Sequence, residues 1–95
     1  MQASEPLRQI RAQIDQIDDQ LVPLLAKRIR LALEASEHKN TDDEIRGCDR
    51  VQEVLEGVKL RARKEGGAVD SILAIYTFLV QELTTLQLRA KAGQS

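Results

Sequence analysis

The sequence has few of the residues that mark several common protein classes. Its one cysteine, Cys48, excludes an internal disulfide bond and a zinc site built from several cysteines, and it suits a reducing compartment. Two prolines and five glycines are too few for a fibrous or disordered chain. The formal net charge of −1 argues against a general nucleic-acid-binding domain, which is normally clearly basic.

Long apolar runs are also missing. No uninterrupted stretch approaches the roughly 18 apolar residues of a membrane span. Residues 1–6 lack both the basic and the apolar region of a signal peptide. A length of 95 residues with 42% hydrophobic, 31% charged and 2% aromatic content predicts a single domain over residues 1–95. We therefore expect a small cytoplasmic protein that binds neither nucleic acid nor membrane.

The hydrophobic pattern predicts an all-α fold of three helices, the first of them long. This first helix extends from about residue 6 to 39. It carries two series of residues spaced by seven, namely Leu7, Ile14, Leu21, Arg28 and Ala35, and Ile10, Ile17, Leu24, Leu31 and His38. Such a double series is typical of a helix that packs against other helices. Pro23 lies off both series, so we expect a bend there rather than a break.

The remaining chain is divided by glycines. Residues 40–47 are expected to form a loop that ends at Gly47. A second amphipathic helix then carries apolar residues from Val51 to Ala62 at helical spacing, and Gly66-Gly67 ends it. The third helix begins near Val69 and presents one broad apolar face as far as Ala90.

The length of the first helix predicts a dimer. A helix from about residue 6 to 39 is roughly 50 Å long, whereas a compact chain of this size has a radius of gyration of only about 12 Å. The apolar series would therefore stay in water at one end of a monomer, and a second copy would cover it. We expect a homodimer with long antiparallel first helices. The alternative is a monomer whose first helix is broken at Pro23.

Several polar residues lie on or beside the predicted apolar faces, and nearly all are cations: Arg11, Arg28, Lys39 and Arg50, with the uncharged Gln87. A buried cation is costly unless an anion pairs with it. One interpretation is structural, with Arg28 paired to Asp18 or Glu34 and Gln87 satisfying a helix end. Because no comparable set of acids lies on these faces, we favour a pocket for a small anion, most simply a polycarboxylate.

The helical repeat indicates which of these cations can meet. Arg28 and Lys39 are three turns apart on one side of the predicted helix, with Cα atoms about 16 Å apart, which leaves space for a ligand of one ring. Arg11 lies roughly 42 Å from Lys39 along the same helix, so only the partner subunit's Arg11 reaches this pocket. The dimer would thus contain two equivalent pockets, each built from both chains.

The order of these residues resembles that of the all-helical chorismate mutases. The resemblance covers residues 5–90 and is carried by Leu7-Arg8-Gln9-Ile10-Arg11, Ile14-Asp15, Ile17-Asp18, Leu21, Leu24-Leu25-Ala26-Lys27-Arg28, Lys39, Asp49-Arg50 and Gln87. It implies an intertwined homodimer with three helices per chain. It also implies rearrangement of chorismate to prephenate, a step of the shikimate pathway that leads to the aromatic amino acids.

The resemblance further implies a role for each matching residue. Arg28 and the partner subunit's Arg11 would hold the carboxylates of the substrate, and Arg50 would lie near its ring. Lys39 and Gln87 would hydrogen-bond the ether oxygen of the breaking C–O bond. A Claisen rearrangement is unimolecular, so its catalyst must fold the substrate and stabilise charge on that oxygen, and we expect neither metal nor cofactor.

Three positions depart from the family pattern, and two of them, Val51 and Leu83, would line the substrate site. Val51 replaces a Glu that helps to bind the ring hydroxyl, Gly47 replaces an Asp, and Leu83 replaces a small hydroxyl residue. A valine at this position, together with a connection from Lys39 to Arg50 that is one residue shorter than usual, resembles the pattern of the isochorismate-pyruvate lyases of the same fold. A valine at this position also resembles the pattern of the aminodeoxychorismate mutases. Either activity, or a non-catalytic helical dimer, is an alternative to a chorismate mutase.

The expected dimer predicts complementation between two inactive variants. Arg11→Ala and Lys39→Ala each remove one residue from every pocket of their own homodimer. A heterodimer of the two variants retains one pocket in which both residues are intact, so mixing them restores part of the mutase activity. Turnover of chorismate by the mixed chains measures this. Confirmed heterodimers without any activity would contradict the shared pocket.

Overall fold

The computed structural model describes residues 4–93, and all of its regular elements are helices. Their bounds are α1 (Glu5–Ser36), α2 (Asp42–Arg46), α3 (Cys48–Lys64) and α4 (Val69–Ala92). No strand occurs in this described range. The predicted all-α fold with three long helices is therefore confirmed, and α2 is an additional short helix. The homodimer stays a prediction.

The first helix is continuous through its proline. The Ser4 hydroxyl accepts a hydrogen bond from the Leu7 backbone N–H at 3.3 Å, which satisfies one of the open donors of the first turn. Pro23 lies inside α1 without ending it, so the alternative of a helix broken there is wrong. Proline removes one backbone donor, and the helix accommodates this loss at an exposed position.

The helix ends earlier than expected. α1 stops at Ser36, whereas the sequence pattern predicted a helix to about residue 39. The backbone N–H groups of Glu37, His38 and Lys39 each bond to the carbonyl three residues before, at 3.1 Å, which forms tight turns. Bonds of this type satisfy the last carbonyls of a helix while changing the direction of the chain.

The segment 40–47 is not wholly a loop, because it contains α2. The Thr41 hydroxyl accepts from the Glu44 backbone N–H at 3.1 Å, and three acidic residues of the first turn complement the helix dipole. Ile45 is buried, and α2 contacts α4. Burial of one isoleucine thus stabilises a helix that local periodicity was too short to indicate. Gly47 ends α2 in the left-handed region, with φ of 46°.

The chain divides into two units, the first ending at Leu31 and the second beginning at Ala32. In the second unit, α3 and α4 pack against each other. Its buried apolar residues, supplied by three helices, are Ile45, Val58, Ala62 and Leu83. Gly66 follows α3 with φ of 67°, as expected for a glycine that ends a helix.

In the first unit, α1 exposes its apolar series. The exposed fraction ranges from 39% for Leu7 to 62% for Leu24. Between Glu5 and Ser36 the structure describes no fully buried residue. The seven-spaced pattern is therefore present on a helix whose apolar face has water against it in a single copy of the chain.

α4 is long and apolar enough, by length and composition alone, to cross a membrane, with a mean hydropathy of 1.2 over its most apolar stretch. The expectation drawn from uninterrupted apolar runs missed this, because polar residues such as Thr77 and Gln81 interrupt the stretch without lowering its mean much. In the structure α4 contacts both α2 and α3 and contains the buried Gln87. Only 6% of that apolar stretch is buried in the structure.

Gly47 has a positive φ and Gly57 lies inside a helix, so alanine substitutions at these two positions are expected to have opposite effects on stability. Gly47→Ala forces a Cβ into the left-handed region, 3.2 Å from the Glu44 carbonyl oxygen, so it destabilises the fold by about 1–2 kcal/mol. Gly57→Ala lies inside α3, where the new Cβ meets only the end of the Arg61 side chain, and it stabilises by about 0.5–1 kcal/mol. Thermal unfolding of both variants measures the shifts. A rise of the melting temperature for Gly47→Ala would contradict the assigned backbone conformation.

Candidate functional site

The centre of the candidate site is a hydrogen bond between two distant parts of the chain. Lys39 Nζ donates to Gln87 Oε1 at 3.1 Å, across 48 residues of sequence. Lys39 follows the turns after α1, and Gln87 lies on α4. The structure thus brings together the two residues that the family resemblance assigned to the ether oxygen.

Gln87 is the buried polar residue of this site, with 6% of its surface exposed. Burying an amide is costly unless its polar atoms have partners, and a charged donor is a strong one. The interpretation that Gln87 satisfies a helix end is wrong for its oxygen, because that oxygen accepts from Lys39. An ammonium group only donates, so it is the amide oxygen of Gln87, and not its NH₂ group, that binds Lys39.

Lys39 is half-buried and is not part of α1. The predicted separation of about 16 Å from Arg28 assumed a helix continuing through Lys39. Because the helix ends at Ser36, the helical repeat does not give the position of Lys39. Its position depends instead on the turns after Ser36 and on the bond to Gln87.

Arg50 does not lie on the buried side of its helix. The buried and half-buried residues of α3 follow the helical repeat through Val51, Val58 and Ala62, and Arg50 is one position off this face. Its side chain is 72% exposed and forms an ion pair with Glu53, one turn later. Arg50 is therefore an exposed cation with an acid one turn away, and its predicted role toward a substrate stays a prediction.

Val51 lines an open depression formed by α2, α3 and α4, with a volume of about 330 Å³. The lining residues are Arg46, Cys48, Val51, Val80, Gln81 and Thr84, and the exposed lining is mainly apolar. Among these described residues there is one cation and no carboxylate. The apolar part of a small molecule could pack against such an open apolar depression, and Arg46 could bind an anionic part.

Leu83 is buried in the core and does not line this depression. The next residue, Thr84, does line it, and the Thr84 hydroxyl donates to the Val80 carbonyl at 3.1 Å. A hydroxyl group is thus present at the depression, although the family resemblance predicted the hydroxyl residue at the position of Leu83. The sequence interpretation missed Thr84 and Arg46. The sequence offered one indication of them, because their neighbours Leu83 and Gly47 depart from the family pattern.

The two cations of the first unit lie on α1. Arg11 is exposed and Arg28 is half-buried. Arg28 has an interaction of its own within the chain. Their predicted roles toward the carboxylates of a substrate stay predictions.

The described residues include no group of three or more His, Cys, Asp or Glu side chains that could hold a metal ion. Cys48 is a free, exposed thiol at the depression. The charged groups described at the candidate site and at the depression are Lys39 and Arg46.

A sequence model of the family described as chorismate mutase type II matches residues 10–88. The match covers most of the chain and includes Arg11, Arg28, Lys39, Arg50 and Gln87. No curated protein sequence matches the chain at a significant level.

Proposed function

The chain belongs to the chorismate mutase type II family, and we propose that it catalyses the Claisen rearrangement of chorismate to prephenate. The observation that carries this proposal is the bond between Lys39 Nζ and Gln87 Oε1, which holds a cation and an amide together at a partly buried position. The family match supports mutase-type chemistry, and this pair supplies the kind of donors that the chemistry requires.

The rearrangement makes few demands on the protein. The ether C–O bond of chorismate breaks while a C–C bond forms between the enolpyruvyl side chain and the ring, and no group is transferred to the enzyme. Negative charge increases on the ether oxygen in the transition state. Donors that are already oriented toward that oxygen stabilise the transition state more than the substrate, which accelerates the step.

Lys39 and Gln87 are the proposed donors to the ether oxygen. The ammonium group of Lys39 has three N–H donors and uses one on Gln87, so others remain for a ligand. The NH₂ group of Gln87 is not used in the bond to Lys39, and it is the second proposed donor. The burial of Gln87 and its bond to Lys39 support this proposal, because both restrict the movement of the two side chains.

Binding of the substrate's carboxylates is proposed for arginine side chains. Guanidinium groups bind carboxylates through two parallel hydrogen bonds, which fixes orientation as well as charge. From the family resemblance we assign Arg28 and the partner subunit's Arg11 to this role. Arg50 is also assigned near the ring, and in that role it exchanges its ion pair with Glu53 for a substrate carboxylate.

The exposed apolar series of α1 supports a homodimer. Its members, exposed by 39% or more, are Leu7, Ile10, Ile14, Ile17, Leu21, Leu24 and Leu31. A contiguous apolar stripe of this kind is typical of an interaction surface. Its spacing by three and four residues suits another helix, and a second copy of α1 has the same spacing. We propose that two copies pair through this stripe.

Val51 supports a second candidate, an isochorismate-pyruvate lyase. This reaction breaks the same kind of ether bond in a pericyclic step and uses the same cations. A carboxylate at position 51 would accept a hydrogen bond from a ring hydroxyl, whereas valine makes this wall of the depression apolar. The two reactions differ in the ring substituent, so the identity of the substrate must be measured.

Incubation of the purified protein with chorismate and, separately, with isochorismate tests the proposal. We expect prephenate from chorismate, identified by chromatography. Salicylate and pyruvate from isochorismate, with little turnover of chorismate, would replace the mutase by the lyase. If neither substrate reacts, the amino analogue of chorismate is the next substrate. A non-catalytic helical dimer is the conclusion if that also fails.

Removal of either proposed donor lowers the rate of the chemical step. Lys39→Ala or Gln87→Ala each reduces kcat by about 10²–10³-fold, because one oriented donor to the developing negative charge is lost. Steady-state kinetics with chorismate measures this effect. Lys59→Ala is a matched control, since Lys59 is paired with Glu56 on α3 at 3.3 Å and its variant keeps wild-type kcat. A kcat within threefold of wild type for Lys39→Ala would contradict the assigned role.

A further inference from the structure

Lys91 connects the end of α4 to the segment that follows Lys39. Lys91 Nζ donates to the Asn40 carbonyl oxygen at 3.2 Å and to Asp42 Oδ1 at 3.1 Å. Asp42 is the first residue of α2, and Asn40 lies between α1 and α2. One ammonium group therefore holds both the backbone and a side chain of this connection.

This contact is adjacent to the candidate site on both elements. Lys91 is four residues after Gln87, so the two side chains leave neighbouring turns of one face of α4. Their partners, Lys39 and Asn40, are consecutive residues. Two successive turns of α4 thus bind two successive residues of the connection, one through Gln87 and one through Lys91.

Both backbone polar groups of Asn40, its N–H and its carbonyl, form hydrogen bonds to side chains. Its backbone N–H donates to Glu44 Oε2 at 3.2 Å, while its carbonyl accepts from Lys91. The Lys39 backbone has its own turn bond to the Ser36 carbonyl, but Asn40 lies outside any helix. Loss of the Lys91 contact therefore leaves the backbone directly after Lys39 with one long-range restraint fewer.

We propose that Lys91 is a positioning residue for Lys39, an inference that rests on the proposed mutase function. Lys91 does not bind the substrate in this proposal. It fixes the connection between α1 and α2, so that the Lys39 ammonium group stays beside Gln87 and in line with the ether oxygen. Misplacement of a catalytic group by about 1 Å can lower a rate by about 10²-fold.

The expected signature separates positioning from general stabilisation. The Lys91 side chain is 38% exposed and that of Asp42 is 59% exposed, and ion pairs this accessible to water contribute little to folding. We therefore expect Lys91→Ala to lower kcat by about 10-fold while the melting temperature stays within about 4 °C of wild type. KM changes less than about twofold, because the substrate-binding arginines are untouched.

Two further variants make the test specific. Lys91→Arg keeps a cation with several donors, so it restores kcat to at least about half of the wild-type value. Lys64→Ala is the matched control, because Lys64 also lies in the last turn of its helix, α3, and is exposed. This control removes the same charge from a helix end and leaves kcat unchanged. Equal kcat for Lys91→Ala and wild type, or an equal loss in Lys64→Ala, would overturn the proposal.

A measurement without substrate keeps this proposal distinct from the mutase function. Hydrogen–deuterium exchange of the amides in residues 39–44 is compared between the full-length wild type and Lys91→Ala. Faster exchange in this segment, with unchanged exchange in α3, supports the positioning role even if chorismate is not the substrate. Unchanged exchange in residues 39–44 overturns it. Failure of the wild type to convert chorismate, in contrast, rejects only the mutase proposal.

Discussion

The hydrogen bond from the Lys39 ammonium group to the buried Gln87 amide is the interaction on which the organisation of the second unit depends. Gln87 occupies a core position of α4 where an apolar residue would pack without any partner. An amide at that position requires a donor, and the donor comes from the connection between α1 and α2. The bond therefore links the buried face of α4 to a segment without regular structure, and it places an ammonium group beside an amide.

The bond lies near a short helix, α2, and a sharp turn at Gly47. Ile45 of α2 and Leu83 of α4 are among the buried apolar residues, and these two helices contact each other. Gly47 reverses the chain directly into α3 because only a residue without Cβ adopts its positive φ easily. The short α2 also supplies Arg46 to the depression that contains Val51.

A site of this composition is suited to a reaction that needs orientation and charge stabilisation. In the proposed function, the Lys39 ammonium group and the Gln87 amide need little reorganisation when charge develops on a ligand, because they are already bound to each other. In the proposed function, arginine side chains would supply the complementary charge for an anionic substrate. The exposed apolar stripe of α1 then connects function with assembly, since the proposed pocket includes a residue of the partner.

The sequence by itself determined the helices, because helix formation depends on periodicity and on glycine at helix ends, both of which are local. It did not reveal α2, whose five residues are too few for a periodic pattern and depend on burial of Ile45. The pairing of Lys39 with Gln87 was reached only through the family resemblance. The exposed orientation of Arg50 and the contact from Lys91 to Asn40 were decided by the tertiary structure. Contacts between residues about 50 positions apart depend on how connections turn and how helices pack, and no local pattern encodes these.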